Sequence, residues 1–480
     1  AHAVYQSVKH NVDHIYVIGT LNDTSEGGAY EDTSTTNAGA TGTFNASGGA
    51  SISNGGGASV FNIKGTGLDD STPRHIYITG VGSNAVLQGT SGKRVISVTG
   101  GAHITFENIA IQGGGSSAYA GKGGGIYVGE KSKIVWKNGV ISGNTAASGG
   151  GVYVDNSQFS LMTGSVRNNT ATSGAVTRSQ FESNAAIAPE YTIAGGGGVY
   201  VKGGDSWFWL AEGDISGNTT KGSGGGVLVN GSTIPTKPTA DTTPHDFVMS
   251  AGTISGNVSG GDLWPHGGGG VYVAKGVFEM LDGHITGNQS TRQGGGVFVW
   301  SRSLFNMGGN SSVTGNIGVG SSRAICNRGI TTMRGRAQAD SVYVWNYAKG
   351  AWNNGFGDEF TLMDGARVSG LVLAFADDPK NNRNYINIVE QNGQFFTPGT
   401  DPITTIDLES HLTSSGSFAK DAIIDDDWLG KYLIKNGGNE IPAAQAAALI
   451  KRFPLGTFTS GGPSKSLSGH KLDNTGKLVK

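Results

Sequence analysis

Asp246, Asp262 and His266 are the side chains in this sequence whose types and spacing best suit proton transfer. The segment Gly261-Asp-Leu-Trp-Pro-His-Gly267 sets a carboxylate, an indole and an imidazole on a stiff, proline-containing corner beside an apolar strand. Two carboxylates flanking a glycosidic bond can hydrolyse it. One is held protonated for the leaving oxygen and the other ionised, about 5–5.5 Å apart for retention or about 6.5–9.5 Å for inversion. Asp262 is the expected acid/base, with Asp246 and His266 as its catalytic companions. Trp264, Tyr200, Tyr272 and Trp300 would stack flat faces on the C–H surfaces of sugar rings, while Glu190 and Arg292 would meet hydroxyls. A plainer role competes for each. Aspartate in a glycine-rich corner commonly caps backbone N–H groups, and stacked tyrosines can simply cover a sheet.

Two further groupings carry weaker chemistry. Glu212, Asp214, Asp282 and His284 share a second face, with Trp209 and Glu279 pointing outward nearby, but no long loops wall it. Arginines crowd the stretch 292–336 (Arg292, Arg302, Arg323, Arg328, Arg334 and Arg336), which suits a polysaccharide lyase acting on a uronate. No tight aspartate cluster accompanies them to hold Ca²⁺. There is no phosphate-binding loop, dinucleotide fingerprint, HExxH or CxxC pair, so no cofactor and no metal are expected.

The elements that must position these residues come from a repeat. GGGVYVDNSQFSLMTGSVRNN, residues 149–169, and GGGVYVAKGVFEMLDGHITGN, residues 268–288, are its clearest copies. Each holds three short apolar runs with period-2 alternation, separated by glycines and closed by an asparagine. The closing residues are Asn144, Asn169, Asn218, Asn257, Asn288 and Asn316. A shortest interval of about 25 residues suits one turn of a triangular coil, whereas a helical repeat would show a 3.6 period and would not tolerate a glycine triplet in every copy. The expected fold is all-β: a right-handed parallel β-helix, a three-sheet solenoid, with a small C-terminal cap or appended module.

Stacking places equivalent residues of successive coils roughly 4.8 Å apart. Val152/Val154, Phe159/Leu161, Val271/Val273 and Phe278/Met280 should point inward. A row of Tyr127, Tyr153, Tyr200, Leu228, Tyr272, Phe298 and Tyr343 should line the outside of the Val-Tyr-Val sheet. Long corners at 170–194, 258–267 and 317–323 before that strand, and at 202–206 and 230–246 after it, would wall the row into a groove. Residues 1–60 read as an N-terminal cap region, 61–376 as the coil stack, and 377–480 as a cap or appended small domain. The latter includes a helix-tolerant stretch at 421–453.

Composition narrows the partners. Glycine contributes 83 of 480 residues without a collagen period, and 34 Lys+Arg against 36 Asp+Glu leave a net charge of −2. No global field draws this chain to nucleic acid. Cys326 alone permits no intrachain disulfide, and no apolar run is long enough to span a membrane. A start at Ala1 rather than Met fits an exported product, so a secreted or bacterial cell-surface location is expected.

The GGGVYV, F-x-M-x-G and I-S-G-N elements, over roughly residues 113–376, resemble those of bacterial surface β-helix proteins. These include polymorphic outer-membrane-protein repeats and the β-helix domain of lacto-N-biosidase-type glycosidases. The second resemblance implies two catalytic aspartates on loops, with no motif that assigns them to positions here. The expected activity is glycoside hydrolysis of an oligo- or polysaccharide in the groove on the Val-Tyr-Val sheet. A non-catalytic cell-surface adhesin that binds glycans is the alternative, and a uronate lyase the further one.

Overall fold

A computed structural model of the chain describes residues 14–21, 43–45, 50–54, 59–65, 75–90, 92–174, 194–231, 245–261, 266–300, 303–319, 323–344, 359–363 and 365–375. Beyond these it describes the strand residues 384–388, 403–410, 432–436, 439–440, 455–460, 465–466, 471–472 and 478–479. Every element among them is a β-strand, and the fold is all-β with extensive parallel pairing. Each repeat contributes to three columns, and in the copy at 268–288 one long strand, Val271–Met280, serves two of them. Val152–Asp155 pairs in parallel with Ile126–Gly129 on one side and Val199–Lys202 on the other. Gln158–Leu161 lies between Lys133–Lys137 and Trp207–Leu210, and Gly164–Arg167 between Gly139–Ser142 and Asp214–Ser216. A short fourth ladder follows the asparagines, running through residues 145, 170, 219, 258 and 289.

Alternation sorts the side chains. The outer valines of Val-Tyr-Val, the Phe-x-Leu and Phe-x-Met pairs and the lone Ile or Val of the third strand form one continuous apolar interior. Along it the rings of Phe159, Phe208, Phe247, Phe278 and Phe305 follow one another, with centroids 5.8, 5.2, 4.4 and 4.8 Å apart. Such a core has no need of a disulfide, and the buried Cys326 forms none.

The six asparagines form a buried ladder. The Nδ2 of Asn169 donates to Asn218 Oδ1 at 3.0 Å and to the Ile141 carbonyl at 2.9 Å, and the Asn169 backbone N–H donates to the same Oδ1 at 3.0 Å. The pattern recurs from Asn144 to Asn316. The side chain thus satisfies backbone groups where a corner interrupts the strand ladder. The corner also fixes its glycines. The residue before each ladder asparagine sits in the left-handed region, as Gly143, Gly217, Gly256, Gly287, Gly315 and, in one coil, Asn168. In the following triplet, a Cβ on Gly150 would lie 2.5 Å from the carbonyl oxygens of Gly197 and Thr170, so no side chain fits.

Parallel pairing extends past the expected limits of 61 and 376. His14–Leu21 pairs with the strand His75–Gln88, and Arg367–Phe375 with Ile403–Ser410, which in turn pairs with Leu455–Ser460. The helix-tolerant stretch at 421–453 falls mostly outside the described residues. Its described strands are Tyr432–Asn436 and Asn439–Glu440. Of the expected loop walls 170–194, 230–246, 258–267 and 317–323, residues 175–193, 232–244, 262–265 and 320–322 also lie outside them.

Candidate functional site

The aromatic row of the Val-Tyr-Val column is in register, Tyr127 to Tyr153 to Tyr200 to Leu228 to Tyr272 to Phe298 to Cys326 to Tyr343. Tyr153 stacks on Tyr200 at 4.8 Å and Tyr272 on Phe298 at 4.9 Å. The row was expected to be the open floor of a groove, and here the structure corrects the sequence. Tyr200 is 4% exposed and Tyr272 0%, so the rings form a second closed apolar layer with Trp300 and Cys326. Trp300, 6% exposed, stacks against Phe298 and carries the Arg328 guanidinium 4.5 Å from its ring centre. Rings buried to this degree leave no face open to a sugar.

Burial also decides the electrostatics of this layer. It pushes the phenols of Tyr153, Tyr200 and Tyr272 up from their ordinary range, because the charged form would be stranded away from water. Tyr127, at the more open end, is pushed up to about 12, first by burial and then by the neighbouring Asp155 carboxylate. Its hydroxyl donates to Asp155 Oδ2 at 3.3 Å, and Arg94 lies over its ring at 4.7 Å.

Of the expected catalytic groups, Asp246 is 1% exposed. Its Oδ2 accepts the Val277 backbone N–H at 2.8 Å, and its carboxylate fills the space that side chains at Gly231 and Gly276 would need. This is a corner-capping carboxylate, not one facing a groove. His266 is 3% exposed, with its ring against Gly261. Arg292 is solvent-exposed, and its backbone N–H donates to Ser290 Oγ. Asp262, Trp264 and Glu190 lie outside the described residues.

The neighbouring column presents a different surface. Outward positions of its strands align as Thr105, Val135, Ser160, Trp209, Val248, Glu279, Asn306 and Thr332. Trp207 and Trp209, two residues apart and so on one face, are both half-buried and near-parallel, with centroids 5.8 Å apart and planes at 14°. The indole N–H of Trp209 donates to Ser250 Oγ at 2.9 Å, which fixes its ring. Farther along the same row Glu279 is buried and accepts from Asn306 Nδ2 and from Arg334 Nη2, both at 2.9 Å. The Arg334 side chain is 48% exposed against 8% for Glu279, so the guanidinium is the part that meets solvent.

This surface joins a fixed aromatic pair to a clamped polar group. The sequence named Trp209 and Glu279 as outward-facing, but not their connection to Asn306 and Arg334. Writing the middle residue of every Phe-x-Met run as one column would have set Glu279 beside Asn306, though not Arg334, which lies outside those runs. Glu212 and Asp282 lie on the adjoining corners. Asp282 there accepts from the Gly283 N–H at 2.6 Å and from Asn310 Nδ2 at 3.3 Å. Among the described residues, no group of three His, Cys, Asp or Glu is placed to hold a metal ion, and no helix is long and apolar enough to cross a membrane.

No protein family, no curated protein and no solved structure matches the chain. The likeness to β-helix surface proteins therefore rests on the repeat motifs alone.

Proposed function

We propose that the chain is a right-handed, three-sheet parallel β-helix of a secreted or cell-surface protein that binds glycans without cleaving them, through the outer face of its Phe-x-Met column. The observation that carries this reading is the Trp207–Trp209 pair on the same face as the Arg334–Glu279–Asn306 cluster. Indole faces suit the C–H surfaces of sugar rings, and a guanidinium supplies several N–H donors to hydroxyl oxygens. The capped carboxylate of Asp246 and the closed tyrosine layer weigh against hydrolysis on the Val-Tyr-Val face.

A glycan array probed with the wild type and with Trp209→Ala tests the proposal. Binding to at least one glycan class, reduced about tenfold or more by the substitution with the β circular-dichroism signal unchanged, is the expected result; tenfold corresponds to about 1.4 kcal/mol. Sugar release that disappears in Asp262→Asn would replace this reading with glycoside hydrolysis.

A further inference from the structure

The spacing along the outward row fixes how a ligand could lie on it. Trp209, Val248, Glu279 and Asn306 are register partners on successive strands. At roughly 4.8 Å per strand, Glu279 is about 10 Å and Asn306 about 14 Å from Trp209 along the stacking direction. Arg334 arises one strand farther on, beyond Thr332, and its guanidinium reaches back to the Glu279 carboxylate at 2.9 Å. The exposed cation is therefore set over the Glu279–Asn306 end of the row. The aromatic pair holds the other end. Among the described residues of this row, only Val248, a short and half-buried side chain, stands between them.

We infer that this face takes a neutral oligosaccharide of three or more rings laid along the stacking axis, one end on Trp209 and the other under Arg334. The inference rests on the glycan-binding reading above and adds the orientation and minimum length of the ligand. A single ring resting on Trp209 cannot reach the guanidinium. The Glu279 carboxylate neutralises Arg334, so the site offers N–H donors without the unbalanced positive charge that a uronate would demand. Glu279 is then a positioning residue: itself bonded to Asn306, it holds the guanidinium at this end of the row.

Titration calorimetry of the full chain with cello-, malto- and N-acetylchito-oligosaccharides of two, four and six rings tests this. In at least one series, affinity should rise about tenfold from two rings to four as the second contact is made. Arg334→Ala and Glu279→Gln should abolish that gain from two rings to four, and Trp209→Ala should weaken every member. A purely structural role for Glu279 would instead lower all lengths equally. Affinity that is independent of length, yet still lost in Trp209→Ala, overturns the axial placement and leaves the glycan-binding reading standing. No binding in any series overturns the inference, and silence on the array as well overturns the reading beneath it.

Discussion

On the Val-Tyr-Val column the residues that leave the interior are Tyr153, Tyr200, Tyr272 and Phe298, all buried. On the Phe-x-Met column they are Ser160 and Glu279, polar and buried, and Trp209 and Asn306, half-buried at the surface. Both columns obey the same alternation. The difference lies in what covers the outer side: one face has become a second core, and the other has kept a boundary with water. Alternation therefore decides whether a side chain leaves the interior and says nothing of whether it reaches solvent.

The sharpest way to break this comparison is truncation on both faces. Tyr272→Ala empties a fully buried site and should cost about 3–5 kcal/mol, read as a lowered thermal midpoint. An effect near zero would mean that the tyrosine layer is open after all. Asn218→Ala tests the corner that carries both columns. It removes the acceptor of two Asn169 donors and the donor to Val166 and Asn257, and should cost about 2–4 kcal/mol. On the open face Trp209→Ala should lower stability by only about 1 kcal/mol while it removes glycan binding. A loss of stability matching that of Tyr272→Ala would show that the two faces are equally closed.

Alkaline titration separates the ends of the tyrosine row. The neutral phenol of Tyr127 is favoured in the folded chain, with its pKa raised from 10.0 to about 12. Its contribution is therefore complete below pH 10 and is lost as pH rises through about 12. Ultraviolet absorbance of tyrosinate should show a step near pH 12 that Tyr127→Phe removes. Tyr153, Tyr200 and Tyr272 should ionise only with loss of the β circular-dichroism signal. Ionisation of the whole row at ordinary tyrosine pH with the fold intact would contradict its burial.

Much of the architecture was legible in the amino acids. The intervals between Asn144 and Asn316 marked the corners, because only a repeated local need for a side-chain amide keeps one residue type at that place in every coil. Val152, Val154, Phe159 and Leu161 were read as inward-facing for the same periodic reason, and the tyrosine row was aligned apart from Cys326, which stands between Phe298 and Tyr343. Its exposure was misread because covering a face requires segments distant in sequence, and period-2 patterning carries no information about them. The site was less legible still. Asp246 looks alike in sequence whether it caps a backbone N–H or faces a ligand. The pairing of Glu279 with Arg334 spans 55 residues and is set by the register of two coils, not by any local motif.

The asparagine ladder has one more effect. In each link the amide Nδ2 donates toward the next coil and Oδ1 receives from the one before, so the side-chain dipoles point the same way from Asn144 to Asn316. Head-to-tail queues of this kind polarise one another. The ladder consequently has an electrical sense as well as a chain direction, its oxygen-leading terminus at Gly114, whose N–H meets Asn144 Oδ1, and its hydrogen-leading terminus at the carbonyls of Ile285 and Thr314. A repeat that lacked its amide would leave the queue broken on both sides.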